Sequence, residues 1–202
     1  MNRAVFLDRD GVINAAVWNP LEGKLDTPYR LEDFRLLPGV AQAMRAVSEM
    51  GFLAVVVSNQ PGVAKGKCGP ELLDAISCRM LASLTEEGVR LSGIYYCLHH
   101  PEALVPALRA HCDCRKPKPG LLLRAARELD IDLTRSYMVG DQPTDIEAGL
   151  AAGCSTVLLD GYRSLGASAQ SPRVHPDWIA KDLPAVVEAI RQVEGGPGWR
   201  SS

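Results

Sequence analysis

Two aspartates one residue apart, Asp8 and Asp10, close the short apolar run at residues 4–7, and Gly11 stands directly behind them. An apolar run bounded by a turn residue predicts a buried strand, and residues two apart at its end lie on one side of an extended chain. Both acids are therefore expected to face one pocket. Carboxylates that close repel each other, and keeping both ionised calls for a cation; hard, oxygen-seeking Mg²⁺ suits the donor set. One acid can then attack an electrophile while the other moves a proton. A lone Asp-x-Asp is as often a solvated surface turn, so residues farther along the chain must decide.

Three further places supply what such chemistry needs. Ser58 follows the apolar, β-branched run at 52–57; Lys116 and Lys118 stand in Lys-Pro-Lys-Pro ahead of Gly120; Asp141 and Asp145 follow the run at 137–139. Asp141 offers a third acid for the cation. Ser58 and the amides after it can donate to phosphoryl oxygens, and a lysine can neutralise the charge that spreads over them. Taken singly, these are a turn serine, a helix cap and a solvated loop; taken together they point to phosphoryl transfer.

The cysteines carry a second chemistry. Cys97-x-His99, twelve residues, then Cys112-x-Cys114 places four soft or borderline ligands in two pairs joined by one loop, the spacing of a closed tetrahedral zinc site. With no open position, such a zinc would hold the loop rather than activate water. Cys68, Cys78 and Cys154 read as small packing residues, His100 as a bystander, and His111 and His175 are left unassigned.

The elements that must position these groups follow from periodicity. Helices are expected at 40–50, 70–87, 120–129, 144–152 and 182–193, and strands at 4–7, 52–57, 94–98, 137–139 and 156–159. This alternation implies an α/β fold, a doubly wound, mostly parallel sheet with helices on both faces, whose ligands bind at the carboxyl ends of the strands. The 15–38 stretch has no sustained period and reads as a long loop over the pocket, 97–114 as the zinc-binding insert, 172–176 as a loop, and 195–202 as a frayed tail. With 202 residues and 47% hydrophobic content, residues 1–194 are expected to form one domain without a separate cap. The net charge of −2 gives no footprint for nucleic acid, no apolar stretch nears the roughly 18 residues of a membrane span, and the residues before Asp8 are too few for a signal peptide. A cytoplasmic monomer is expected.

At these residues the chain resembles the haloacid dehalogenase (HAD) superfamily of phosphatases, through Asp8-Arg9-Asp10-Gly11, Ser58-Asn59-Gln60, Lys116 and Gly140-Asp141-Gln142-Pro143-Thr144-Asp145. Within it, residues 8–14, 58–67, 95–101 and 112–117 are similar to the D,D-heptose 1,7-bisphosphate phosphatase family. The resemblance implies a Rossmann-like HAD fold with Asp8 as the nucleophile that becomes an aspartyl phosphate and Asp10 as the acid and base. It implies Mg²⁺ on Asp8, the Asp10 carbonyl and Asp141, with Asp145 behind them. Ser58, Asn59, Gln60 and Lys116 would bind the substrate, and Arg115, held by the zinc loop, would meet a second phosphate. The implied substrate is a small phosphorylated sugar, a heptose bisphosphate losing its C7 phosphate in lipopolysaccharide precursor synthesis. Two other readings stay open: a histidinol-phosphate phosphatase, and a catalytically silent, zinc-stabilised interaction module. The 15–38 stretch is longer than that family's, and no substrate contact is assigned to it.

Overall fold

The computed structural model describes residues 1–20, 23–160 and 174–195. Its elements in chain order are β1 (Arg3–Leu7), β2 (Val17–Asn19), β3 (Lys24–Asp26), α1 (Val40–Glu49), β4 (Phe52–Asn59), α2 (Pro70–Glu86), β5 (Gly93–Cys97), α3 (Gly120–Leu129), β6 (Tyr137–Gly140), α4 (Pro143–Ala152), β7 (Ser155–Leu159), β8 (Trp178–Ala180) and α5 (Leu183–Gly195). Six of the strands form one sheet in the order β5-β4-β1-β6-β7-β8, every neighbouring pair parallel.

β1 lies in the middle because its residues are apolar on both faces. Val5 and Leu7 point into a core shared with α1, α2 and α5, whereas Ala4 and Phe6 point into a second core shared with α3 and α4. Each large side chain so buried contributes roughly 1.5–3 kcal/mol. Leu7 pairs with Val56 of β4 on one side and Val139 of β6 on the other, so Asp8, Ser58 and Asp141 emerge together at the carboxyl end. From β1 the chain winds outward through β4 and β5, then returns to β6 and continues to β7 and β8. The crevice between the two halves is the place where such sheets bind ligands.

The expected strands and helices are present, with boundaries moved by one or two residues at most ends, and α5 running to Gly195. The strand expected at 52–57 continues through Ser58 and Asn59, which pair with Tyr96 and Cys97. The 15–38 stretch differs more. It contains the antiparallel hairpin β2–β3, with Trp18 opposite Leu25, and a 3₁₀ turn at Leu31–Asp33. Strands of three residues leave no readable period, which is why the hairpin reads as irregular chain. The edge strand β8 is equally short and escapes the sequence for the same reason. Residues 172–173 of the expected loop and 196–202 of the expected tail lie outside the described residues.

Candidate active site

β1 ends in a tight turn built on one carbonyl. The Arg9 oxygen accepts from the amides of Ile13 (2.8 Å) and Asn14 (3.0 Å), and Gly11 takes a left-handed φ of 88° that lets the chain reverse. The Asp8 amide donates to the Val139 carbonyl at 3.0 Å, which ties the nucleophile candidate to β6.

The acid cluster consists of Asp8, Asp141 and Asp145, all buried, each with a carboxylate oxygen within 4.8 Å of the other two. Its cation is Lys116, only 3% exposed, whose Nζ lies 2.9 Å from Asp8 Oδ1 and 2.6 Å from Asp145 Oδ1 and donates to the Val57 carbonyl at 2.9 Å. Asp145 reaches this place because it is the third residue of α4, where its side chain accepts the Gln142 amide (3.0 Å) in a capping box. Gly140 leaves it room: a Cβ there would stand 2.1 Å from the Asp145 Cβ.

Three acids around one lysine are not balanced. Burial pushes the Asp141 carboxyl well above its usual range, and the charges of Asp8 and Asp145 push it further. Burial raises Asp145 as well; Lys116 opposes this and Asp8 adds to it, leaving Asp145 at about 6. Burial alone would lower the Lys116 ammonium, but the attraction of Asp145 and Asp8 prevails and raises it.

Oxygen Oδ1 of Asp141 is buried with no hydrogen-bond donor, and Oδ1 of Asp8 is buried with only the Lys116 ammonium beside it, at 2.9 Å. These two buried carboxylates, amid more negative charge than one lysine balances, fit a hard divalent cation such as Mg²⁺. Both oxygens of Asp145 are already engaged, by Lys116 and Gln142, so it stands behind such an ion rather than on it.

The Asp10 carboxylate is surrounded by donors from Arg9, Asn14, Thr27 and Gln60.

The other candidates divide by what their side chains hold. Ser58, 1% exposed, accepts from Gln60 Nε2 at 3.1 Å. Asn59 closes a two-point clasp on the Lys116 backbone, donating to its carbonyl (3.0 Å) and accepting its amide (3.1 Å), and so fixes the lysine. Gln60 donates to Asp10 Oδ2 at 2.7 Å. Arg115 donates to the His99 carbonyl at 3.3 Å.

Cys97, His99, Cys112 and Cys114 converge as their spacing predicts. The sulfurs lie 3.3–3.6 Å apart, and His99 Nδ1 is 3.4 Å from Cys114 and 3.9 Å from Cys97. Tetrahedral ligands about 2.3 Å from a zinc ion lie about 3.8 Å from one another, so a small outward shift onto a shared metal replaces these contacts. Burial pushes the Cys97 thiol up, and the sulfurs of Cys114 and Cys112 add to it. The loop is fastened to α3 at Gly120, whose amide donates to the Asp113 carbonyl (3.0 Å) and where a Cβ would lie 2.3 Å from that oxygen. Lys116 is two residues beyond Cys114, so this knot sets the lysine's approach.

Residues 113–186 match the HAD-hydrolase-like family model. The D-glycero-β-D-manno-heptose-1,7-bisphosphate 7-phosphatase of Escherichia coli (strain K12) is 40% identical over 192 residues, 94% of this chain and 94% of its own. The chain belongs to the heptose bisphosphate phosphatase family. The member of that family from Photorhabdus laumondii is 44% identical over 94% of this chain and 97% of its own. The crystal structure of the D,D-heptose 1,7-bisphosphate phosphatase from B. bronchiseptica, complexed with magnesium and phosphate, aligns with a TM-score of 0.73 and 28% identity over 95% of this chain and 99% of that one. No helix among the described residues is long and apolar enough to cross a membrane.

Two contributors to the site leave no local signal in the sequence. Arg9, a charged residue between two acids, is fully buried. Thr27 belongs to the stretch that reads as irregular; it reaches Asp10 at 3.2 Å from the end of the hairpin.

Proposed function

We propose that the protein is a Mg²⁺-dependent phosphatase that removes the 7-phosphate of D-glycero-β-D-manno-heptose 1,7-bisphosphate through an aspartyl phosphate on Asp8. The observation that carries this reading is the buried cluster of three acids, with Asp141 Oδ1 lacking any donor, around a single clasped lysine at the switch point of the sheet. Asp8 attacks phosphorus, the bond from phosphorus to the sugar's O7 breaks, and Asp10 hands a proton to the departing oxygen. Water then attacks the same phosphorus, Asp10 takes the proton back, and Asp8 is released as a carboxylate. Lys116 neutralises charge on the transferring group and the Ser58 hydroxyl donates to one of its oxygens. Asn59, Asp145 and Gln60 hold these groups in place. Asp8, Asp141 and the Asp10 carbonyl would hold Mg²⁺, which when bound supplies positive charge opposite the phosphoryl oxygens. Arg115, braced on the zinc loop, meets the 1-phosphate.

The four Cys and His ligands hold a structural Zn²⁺. The protein acts as a cytoplasmic monomer on a small phosphorylated sugar, without a nucleic-acid or membrane partner, in the supply of nucleotide-heptose precursors for lipopolysaccharide. Phosphate release from heptose bisphosphate, compared with release from histidinol phosphate, tests the reading. A higher kcat/KM for histidinol phosphate would overturn the substrate, and no release from either with both metals bound would favour a silent binding module.

A further inference from the structure

Arg9 is the largest of the fully buried side chains among the described residues. Taking a guanidinium out of water is costly, and an apolar side chain of similar volume would serve a core as well or better, so its partners must explain it. Its side-chain hydrogen bonds run mainly to one place, with the Tyr96 hydroxyl as a further partner. Nη2 lies 3.1 Å from Asp10 Oδ1 and 3.0 Å from Oδ2, and Nε lies 3.3 Å from Oδ1. Nη2 also donates to Thr27 Oγ1 at 2.6 Å and to Gln60 Oε1 at 2.9 Å. Each of those two residues in turn donates to Asp10, Thr27 to Oδ1 (3.2 Å) and Gln60 to Oδ2 (2.7 Å). Nη1 is buried with no acceptor. The Tyr96 ring, 5.6 Å away, supports the group from its face.

These contacts form a closed ring around one carboxylate, drawn from the turn after β1, the hairpin and the end of β4. At 0% exposure Arg9 cannot touch a substrate, so its route to the chemistry is through Asp10. We propose that Arg9 is a positioning residue for proton transfer by Asp10, with Thr27 and Gln60 as its co-supports. The assignment rests on the phosphatase reading proposed for the site. Thr27 gives it a further consequence. Its neighbour Asp26 pairs with Lys67 at 2.8 Å and accepts from the Tyr29 hydroxyl at 3.1 Å, so the hairpin is seated on the loop after β4. The seating of the hairpin and the aim of Asp10 are thereby one arrangement.

The test uses two substrates that differ in their need for a proton. The sugar alkoxide leaves poorly unless protonated, whereas the phenolate of p-nitrophenyl phosphate leaves without help. The quantity is kcat/KM, which reports formation of the phospho-enzyme and not its breakdown. Arg9→Met should lower kcat/KM for heptose bisphosphate about thirtyfold or more beyond any loss on p-nitrophenyl phosphate, and Thr27→Val, which keeps the shape and removes one hydroxyl, about threefold or more. Equal losses on both substrates would show that the residues serve the fold or the reacting phosphate, and overturn the assignment; so would no loss at all. If Arg9→Met does not fold, Thr27→Val decides alone. Wild-type protein that releases phosphate from neither compound would remove the phosphatase reading itself, and this assignment with it.

Discussion

Magnesium should stabilise the protein progressively less as the pH falls from about 7.5 to about 5.5. Burial, opposed by Lys116 and aided by Asp8, holds the Asp145 carboxyl at about 6 against an ordinary value of 3.8. Asp141, pushed up by burial and by its two acidic neighbours, also lies well above that value. An acid raised in the folded state keeps a proton that the unfolded chain has lost, so the magnesium-free protein gains stability as pH falls through about 6. Above that pH it bears the cost of the charged form, about 3 kcal/mol for Asp145 alone. A cation beside Asp8 and Asp141 offsets that cost and displaces the proton. The stabilisation due to magnesium should therefore shrink by about 1.4 kcal/mol per pH unit if one proton is displaced and by about 2.7 if two are. Urea unfolding at each pH, with and without saturating magnesium, measures it; the magnesium is removed by dialysis, since a chelator would also strip zinc. His100, lowered chiefly by burial, titrates alike in both series and cancels. An increment that stays flat, or grows on acidification, would refute the account of the acid cluster.

Asp8→Asn should cut turnover by about a thousandfold or more, because an amide forms no acyl phosphate, while stability at neutral pH holds or rises as Asp141 and Asp145 lose a like-charged neighbour. A larger residual rate would exclude Asp8 as the nucleophile. Protein purified without added metal should contain about one zinc per chain by elemental analysis, and Cys112→Ser should lower the melting temperature more than Cys68→Ser. A zinc-free protein of full stability would remove the site. Arg115→Ala should reduce kcat/KM for the bisphosphate more than for a heptose monophosphate; equal losses would mean that its bond to the His99 carbonyl only braces the loop.

What the sequence makes legible here depends on the length of each signal. The five longer sheet strands are runs of apolar residues, and the helices carry stripes long enough to show their period. The four residues of the Cys/His cluster are legible because metal chemistry restricts both residue type and spacing. The hairpin is not, since Val17–Asn19 and Lys24–Asp26 are three residues each and mix polar with apolar side chains. Nor are the supporting roles of the site. Asn59 looks like a ligand-facing residue until its clasp on Lys116 is seen, and Arg9 looks solvated until Thr27 and Gln60 close around it. Such contacts join residues far apart in the chain, Arg9 to Gln60 for example, and no local pattern encodes them.

The placement of β1 has a consequence for how the chain is made. Its two edges are filled by β4 and β6, and β6 arrives only at Tyr137. During synthesis from the amino terminus, β1, β4 and β5 can pair early, while the second edge of a central strand that is apolar from Ala4 to Leu7 stays bare. Over the same interval the buried places of Asp8 and Lys116 lack Asp141 and Asp145. The nascent chain is thus both adhesive and inert until β6 and the start of α4 emerge: the four-residue strand covers the edge, and Asp141 directly after it and Asp145 in the first turn of α4 complete the acid cluster.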